Sequence, residues 1–335
     1  MFRPDRCPYA GCRAHHQPGP RFFIRHGSYL PRCRCHAVPR FRCRLCRRTF
    51  SRQTFRADYR HKKPHLNALF LELMVACVGL RQAARLLRVA RRTVELRFQW
   101  LARQAAGFHA NRLALSTVTG PFHLDELESF EANRFQPLTV PVLVESHTLF
   151  LVGTAVGPLR RKGRLTPEQR RRRAAHEAEH GRRPSQSPRA VRRVLARLRD
   201  LVPRTRRVVL HSDHKPLYGT VGRRLFGARF LWRTHDASAR RDRANPLFPI
   251  NHTNARLRHF LSRLRRRTWC VSKRAAGLQA HLHIAVLWMN YCRGITNRTR
   301  TTPAQALGII PKALRSEELV AWRQDWGLLS PSLAS

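Results

Sequence analysis

The fold of this chain is decided by FHLDELESF, residues 122–130, and by LTVPVLVESHTLFLVGTAV, residues 138–156. Both stretches have the pattern of half-buried or buried strands, and their succession predicts a β-meander. A further apolar strand, RRVVLHSD, follows at residues 206–213. Helical patterns come next, at about residues 251–266 and 273–292. Because strands come first, then a helix and a strand, then helices, the order of elements predicts an α/β fold.

A strongly basic segment separates the meander from the later strand. Between Arg160 and Arg207 the chain carries 18 Arg and Lys against four acids. The first part of this segment predicts a solvated helix and a linker, and AVRRVLARLRDLV, residues 190–202, predicts an amphipathic helix. The apolar face of that helix is expected to consist of Val191, Val194, Leu195, Leu198 and Leu201.

The whole chain is basic, with 66 Lys and Arg against 19 Asp and Glu and a net charge of +47 over 335 residues. This length is typical of two or three domains, and a hydrophobic content of 42% excludes a disordered polycation. The expected partner is an acidic polymer, above all nucleic acid. Its affinity should fall steeply with added salt, because binding releases counterions from the phosphates.

Two observations bear on where the protein acts. The first residues, MFRPDRCPYAGCR, are polar and charged, which is not typical of a signal peptide. Pro141, Glu145 and His147 interrupt the longest apolar run, so we do not expect it to cross a membrane. The sequence therefore predicts a cytoplasmic, nucleoid-associated protein.

Six of the nine cysteines lie in the first 46 residues, and such clustering predicts a metal site rather than disulfides. Cys7 and Cys12 form one close pair, and Cys43 and Cys46 form a second pair after a gap of thirty residues. Two such pairs supply four thiolates at tetrahedral corners, as structural zinc requires. Residues 1–58 are therefore predicted to form a zinc ribbon. The spacing leaves four other ligands open, namely His26, Cys33, Cys35 and His36.

Residues 79–101, GLRQAARLLRVARRTVELRFQWL, have the pattern of a helix-turn-helix. Ala83, Ala84 and Leu87 are expected to face inward on the first helix. The first residues of the second helix are expected to reach into a major groove of DNA. The predicted DNA-contacting residues are Arg88, Arg91, Arg92 and Thr93. A plain helical hairpin has the same periodicity and stays an alternative.

Acidic residues outnumber basic ones only between residues 113 and 159, where five acids accompany a single base, Arg134. Asp125 ends the apolar start of one predicted strand, and Asp213 ends another. Two carboxylates at the ends of neighbouring buried strands can converge on a divalent cation, which offsets their repulsion. Metal ions held in this way can activate water or a 3′-hydroxyl for phosphodiester chemistry. Taken singly, each Asp also fits a cap or a turn.

Taken together, these features resemble insertion-sequence transposases of the DDE, RNase-H-like class that carry a zinc ribbon and a helix-turn-helix. The resemblance covers most of the chain. It rests on the helix-turn-helix and on the segments CPYAGC, RFRCRLCRRTFS, HLDELESF, LHSDHKPLY, NHTNARLRHFLSRLRRRTWCVSK and RTTPAQALGI.

The resemblance implies an RNase-H-like catalytic core at residues 113–300, with a basic helical insertion at about 157–206. A helix-turn-helix domain at residues 59–112 precedes this core, and a C-terminal tail at residues 301–335 follows it. The resemblance also implies Mg²⁺ or Mn²⁺ as the catalytic cofactor, beside the structural zinc. The implied partner is double-stranded DNA, both element ends and target, and the implied assembly is a homo-oligomer.

By the same resemblance, the first two catalytic acids fall on Asp125 and Asp213, and the third ligand falls near Asn251. Here the sequence departs from the family, in which the third ligand is usually Glu, because no acid lies between Asp242 and Glu317. We favour Asn251 as a neutral ligand, since hard cations accept amide oxygens. The alternatives are Asn254 with His252 nearby, Asp236 or Asp242 from the preceding loop, or a protein that has lost strand transfer.

The sequence thus predicts a DNA transposase that binds the ends of an insertion sequence and catalyses Mg-dependent phosphodiester cleavage and strand transfer. The alternative is a non-catalytic DNA-binding protein or an inactive transposase remnant, which the missing third acid favours. An RNA-binding or ribosome-associated protein fits the charge but leaves the paired aspartates unexplained.

Overall fold

The structure is a computed structural model, and it describes residues 2–31, 36–161, 163–236, 238–240, 242–265 and 269–322. The predicted alternative ligands Cys33 and Cys35 lie outside these residues. The chain divides into two compact units. We call Met1–Ala68, with the segment that begins at Glu317, the small unit, and Leu69–Ser316 the large unit.

The small unit contains a three-stranded antiparallel sheet of β1 (Phe23–Tyr29), β2 (Val38–Cys43) and β3 (Thr49–Ser51). A one-turn helix, α1 (Arg13–His16), precedes the sheet. The buried side chains of this unit are mainly aromatic rings and cysteine thiols, namely Cys7, Cys12, Ala14, Phe22, Phe41, Cys43, Phe50 and Phe55. So small an apolar core stabilises a fold only weakly by itself.

Helix α2 (Leu66–Val75) contains the division between the units. Two further helices of the large unit, α3 (Leu80–Leu86) and α4 (Arg91–Ala114), follow it, and we call them the helix pair. Four residues connect α3 to α4. As the sequence predicts, the inward-facing residues of the first helix are buried, namely Ala83, Ala84 and Leu87.

Helix α4 is 24 residues long and also belongs to the packing of the core. It lies against α9 (Ala275–Tyr291), where the His109 ring nitrogen Nδ1 is 3.1 Å from the Tyr291 hydroxyl. Residues 59–112, the predicted helix-turn-helix domain, therefore do not coincide with either unit. Their first ten residues belong to the small unit and the rest to the large unit, because α4 shares its buried surface with α9.

A mixed sheet forms the centre of the large unit. Its strands are β4 (Phe122–Phe130), β5 (Pro137–Glu145), β6 (Leu151–Thr154), β7 (Gly157–Pro158), β8 (Val208–Ser212) and β9 (Phe230–Thr234). The order is β6-β5-β4-β8-β9, with β7 paired to β5. Strands β4, β5 and β6 are antiparallel and form the predicted meander, whereas β8 is parallel to β4 and β9 is parallel to β8.

The remaining helices are α5 (Pro167–His180), α6 (Ser187–Leu201), α7 (Pro216–Phe226), α8 (Phe248–Phe260), α9, α10 (Pro303–Ala306) and α11 (Ser316–Ala321). Strand β5 is buried on both faces, since α6 packs on one face and α8 on the other. Val140, Val142 and Val144 of β5 share one apolar cluster with Leu257 of α8 and Leu282 of α9. The predicted α/β class is confirmed. No helix in the described ranges is both long and apolar enough to cross a membrane.

The basic segment between the meander and β8 folds as two helices of different character. Helix α5 buries none of its residues, as expected of a solvated helix, and begins with a capping box between Thr166 and Gln169. Helix α6 buries four of the five residues predicted for its apolar face, namely Val191, Val194, Leu195 and Leu198.

The packing of α6 can be tested at Leu195, which is fully buried. We expect Leu195→Ala to lower the free energy of unfolding of the large unit by about 2–5 kcal/mol, because it removes buried methyl groups and leaves a cavity. The matched control is Arg192→Ala on the exposed side of the same helix, with an expected change within about 0.5 kcal/mol. Urea unfolding followed by tryptophan fluorescence measures both, and equal effects would contradict the packing described.

Candidate functional site

Asp125 and Asp213 lie on neighbouring parallel strands. The pairing of β4 with β8 puts His123 opposite His211. The same register, continued by two residues, puts Asp125 opposite Asp213, which directly follows β8. The charge of Asp213 contributes to the raised pKa of Asp125. The structure therefore brings the two predicted acids together.

Asp125 lies inside the strand predicted at residues 122–130, so of the two carboxylates only Asp213 follows a strand end. Strand β4 continues to Phe130, because its residues pair with β5 along its whole length. Its pairing with β8, in contrast, covers only Phe122 and His123 among the described residues. Asp125 thus lies where one edge of β4 loses its parallel neighbour, although the strand goes on.

A side chain from α8 completes the surroundings of Asp125. The Asn254 amide nitrogen Nδ2 donates to Asp125 Oδ2 at 2.8 Å, and the backbone N–H of Glu126 donates to Asp125 Oδ1 at 2.7 Å. Asn251 lies one turn earlier on α8, and no side-chain hydrogen bond joins it to another described residue. The structure therefore places Asn254, the alternative, beside the carboxylate instead of the favoured Asn251.

The carbonyl oxygen of Asn254 strengthens this distinction. Oδ1 of Asn254 is buried and accepts no hydrogen bond from any described residue. Buried polar atoms are nearly always paired, so an orphaned acceptor calls for an explanation. An oxygen ligand to a cation is one such explanation, and carboxylate and amide oxygens are the donors that Mg²⁺ takes in proteins.

The other candidates for the third ligand are engaged elsewhere or face another group. Asp236 accepts hydrogen bonds from the backbone N–H and the hydroxyl of Ser238, and Asp242 accepts one from the backbone N–H of Asn245. Both acids thus stabilise turns of their own loop. His252 stacks on Phe248 with ring centroids 5.4 Å apart, and its Nδ1 is buried without a partner among the described residues.

The environment of Asp125 disfavours its charged form. Burial raises the pKa of Asp125, and the nearby charges of Asp213 and Glu126 raise it further, although the backbone N–H of Glu126 opposes them. Two carboxylates on neighbouring strands repel each other when both are ionised. A cation between them would remove that repulsion, so the electrostatics agree with the donor set.

Glu126, the next residue, points to the opposite face of the sheet, because successive side chains of a strand alternate. It accepts side-chain hydrogen bonds from four residues, namely Thr139 of β5, Ser187 of α6, Lys215 before α7, and Tyr218 of α7. The backbone N–H of Lys215 also donates to Asp213 Oδ1 at 3.1 Å. Glu126 therefore connects β4 to the loop that carries Asp213.

The donors around Glu126 decide its ionisation. Burial alone raises the pKa of a carboxyl, but the hydrogen bonds from Lys215, Ser187 and Thr139 outweigh burial and hold the pKa of Glu126 below its ordinary value. Asp125 and Glu126, although adjacent, are thus shifted in opposite directions. Glu126 is charged and fully paired, whereas Asp125 has capacity for a further ligand.

Three histidine rings form a column beside the carboxylates, on β4, on β8 and directly after β9. The rings of His123 and His211 stack at 4.9 Å, and those of His211 and His235 lie edge to edge, with His211 Nδ1 2.8 Å from His235 Nε2. Burial lowers the pKa of each ring, that of His123 to about 4, so the column is neutral at neutral pH. The repeated His-x-Asp spacing in HLD and HSD is the sequence signal for this column.

The four predicted cysteine ligands meet in the small unit. The sulfur atoms of Cys7 and Cys46 are 3.7 Å apart, as are those of Cys12 and Cys43. All four lie within 4.8 Å of one another. A tetrahedron with Zn–S distances near 2.3 Å has edges of about 3.8 Å, so the thiols have the spacing of metal ligands. Neither predicted alternative, His26 or His36, belongs to this group.

The predicted DNA-contacting residues lie at the connection of α3 to α4. Arg88 is exposed in the connection and has a positive φ of 49°. Arg91 and Arg92 open α4 with side chains that are 61% and 77% exposed, and Arg91 pairs with Glu95 at 2.8 Å. Thr93 is partly buried. Three arginines are thus exposed at one helix start, where the helix dipole also favours anions.

Comparisons of the sequence with known protein families and with curated proteins found no match.

The Glu126 network gives a pH-dependent prediction. We expect Glu126→Gln to destabilise the large unit by about 1–3 kcal/mol at pH 7, because it removes the charge that satisfies Lys215 and its neighbours. Since the pKa of Glu126 is lowered, its contribution is present above the ordinary carboxyl pKa and is lost as the pH falls through the folded value. The difference from wild type should therefore shrink in acid.

Glu128→Gln is the matched control, because Glu128 lies on the same strand and is exposed. Thermal unfolding at several pH values measures both variants. A Glu126→Gln effect that is independent of pH, or equal to that of Glu128→Gln, would show that the charge of Glu126 contributes no stability.

Proposed function

We propose that this protein is a DNA transposase of the DDE, RNase-H-like class that binds the ends of an insertion sequence and catalyses cleavage and strand transfer. The observation that carries the proposal is the convergence of Asp125, Asp213 and Asn254 at neighbouring strands and a facing helix. This convergence occurs in a chain with a net charge of +47, suited to a polyanionic substrate.

Asp125, Asp213 and Asn254 are the residues that would hold a divalent cation. Bound Mg²⁺ or Mn²⁺ supplies Lewis-acid activation of a water or 3′-hydroxyl and stabilisation of the leaving oxygen. Asn254 directs Nδ2 toward Asp125, and the opposite orientation of the same amide presents the orphaned Oδ1 instead. In this proposal an amide takes the third position, which agrees with the absence of acids between residues 243 and 316.

The remaining parts of the large unit serve to position DNA. The exposed arginines at the start of α4 contact the element ends, and the arginine-rich segments near residues 160–207 and 256–274 neutralise backbone phosphates. Glu126 and Lys215 keep the loop of Asp213 next to β4. Two ends must be brought together for transposition, so the proposal includes a homo-oligomer.

In the small unit we propose a zinc ribbon. Its support is the spacing of the four thiols and the small apolar core around them. A structural zinc ion contributes directly to folding free energy, which a unit of this size otherwise lacks.

A second candidate function is a DNA-binding protein without catalysis. It is favoured by the same amide, because exchange of a carboxylate for Asn254 reduces the charge available to hold a cation. This protein would use the helix pair and the small unit and would not depend on Asp125 or Asp213. The two candidates therefore separate in a cleavage assay.

We expect Asp125→Asn and Asp213→Asn to abolish Mg²⁺- or Mn²⁺-dependent nicking of DNA that carries the element's own ends. Asn254→Ala should lower the rate by roughly 100-fold or more, since even indirect partners of metal ligands are worth 10–100-fold. Asn251→Ala, one turn away on α8, is the matched control and should stay within a few-fold of wild type. DNA affinity should be unchanged in all four variants.

Other outcomes would assign the third ligand differently or favour the second candidate function. Loss of cleavage in Asn251→Ala but not in Asn254→Ala would make Asn251 the third ligand. Loss in only the two Asp variants would point to Asp236 or Asp242. Tight DNA binding with no cleavage by the wild-type protein would support the non-catalytic candidate.

The zinc proposal has its own test. Purified wild-type protein should contain about one zinc ion per chain, and Cys43→Ser should lose it, because three thiolates cannot fill a structural tetrahedral site. Hydrogen exchange of β1, β2 and β3 should accelerate in that variant, whereas Cys292→Ser in the large unit should change neither quantity. Full zinc content in Cys43→Ser would contradict the assigned ligands.

A further inference from the structure

An open cavity of about 870 Å³ lies in the small unit, beside β2 and β3. Neither the cysteine cluster nor the convergence of Asp125 and Asp213 includes any of its residues. The lining residues that matter below are Tyr29, Arg40, Tyr59, Arg60 and Lys62. They come from the end of β1, from β2 and from the segment after the sheet.

The cavity is cationic. Arg40, Arg60 and Lys62 line it together with His61 and His65, and no acid belongs to its described lining. Such a cavity attracts anions, and phosphate groups in particular, because positive charges of neighbouring side chains reinforce one another in a concave surface.

Two tyrosine rings give the cavity a second property. Arg40 lies over the Tyr29 ring at 5.3 Å from its centroid, and Arg60 lies over the Tyr59 ring at 5.5 Å. Each ring is therefore paired with a guanidinium that can also bind phosphate. Tyr59 is 44% exposed, so its side chain is open to solvent.

The ring of Tyr29 is held in one orientation. Its hydroxyl lies 3.2 Å from the Ser51 hydroxyl and donates to Gln53 Oε1 at 3.1 Å. A fixed ring loses little entropy when a planar ligand stacks on it, so the side chain is pre-organised for binding.

We propose that this cavity binds a single-stranded segment of nucleic acid, with bases on the rings of Tyr29 and Tyr59 and phosphates on Arg40, Arg60 and Lys62. The combination of a basic groove with aromatic platforms is how proteins bind unpaired strands. In a duplex the base faces are covered by neighbouring bases, so a duplex makes no use of the rings. The inference rests on the proposed function only for nucleic acid as the partner.

The first test locates the contact in the full-length, zinc-containing protein. A short thymidine oligonucleotide with one 5-iodouracil is bound and irradiated, and the crosslinked peptide is identified by mass spectrometry. We expect crosslinks at Tyr29 or Tyr59. Crosslinks confined to the large unit would overturn the proposal, because they would place unpaired bases elsewhere in this basic chain.

The second test separates stacking from general charge. Anisotropy of a labelled thymidine oligonucleotide, measured with excess unlabelled duplex, should show about tenfold weaker binding for Tyr59→Ala. Tyr59→Phe retains the ring and should bind within about twofold of wild type. Tyr9→Ala is the matched control, because Arg48 lies over the Tyr9 ring at 5.0 Å but Tyr9 does not line the cavity.

Zinc content and thermal unfolding of each variant confirm that the small unit is folded. An oligonucleotide with abasic sites should bind wild type and Tyr59→Ala equally, because it has no base to stack. Equal losses of single-strand and duplex affinity in Tyr59→Ala would overturn the proposal in favour of a duplex surface, and displacement by poly-glutamate as efficient as by the oligonucleotide would favour an acidic protein partner.

The same protein distinguishes this proposal from the transposase proposal. Asp125→Asn should keep both the crosslinks and the oligonucleotide affinity. Correct crosslinks without metal-dependent cleavage would remove the proposed catalysis and leave the single-strand site, whereas cleavage with no involvement of Tyr59 would do the reverse.

Discussion

The buried carboxylate of Glu126 is the interaction on which the candidate site depends. It joins β4 to β5, α6 and α7 and, through Lys215, to the loop that holds Asp213. Strand alternation then directs Asp125 to the other face, toward α8. Glu126 accepts hydrogen bonds from four side chains and fixes the geometry. The pKa of Asp125, in contrast, is raised by burial and by the neighbouring acids. Adjacent acids with opposite pKa shifts thus perform different tasks.

The distribution of charge follows from the same constraint. The chain has a net charge of +47, but the face of β4 that carries Asp125 has a different character. The neighbours on that face are instead neutral, namely the histidine column and Asn254. Basic residues are concentrated on surface helices such as α5, which buries none of its side chains. Exposed basic residues and the carboxylate of Asp125 thus lie on different elements of the large unit.

Much of this arrangement was predictable from the sequence, because it depends on local patterns. Alternating apolar residues indicated the meander, and cysteine spacing indicated the thiol cluster. Whether Asn251 or Asn254 faces Asp125 depends on how α8 is turned about its own axis. Burial of Leu257 against β5 sets that orientation, and it is a tertiary contact that the local sequence pattern does not predict. Glu126 was likewise missed as an organising residue, since its four partners are 13 to 92 positions away. The strand-like run at residues 122–130 already indicated that Asp125 lies inside β4.

The length of α4 has a geometric consequence. Its first turn carries Arg91 and Arg92, and His109 near its last turn contacts Tyr291 of the core, so one continuous helix of 24 residues joins the two. At 1.5 Å per residue this is a rod of about 36 Å, and each residue turns the rod by about 100°. The direction in which Arg91 and Arg92 point therefore depends on the number of residues between them and the part of α4 that packs in the core. Insertion or deletion of one residue between these arginines and His109 would turn them by about 100° relative to the residues of α4 that pack in the core.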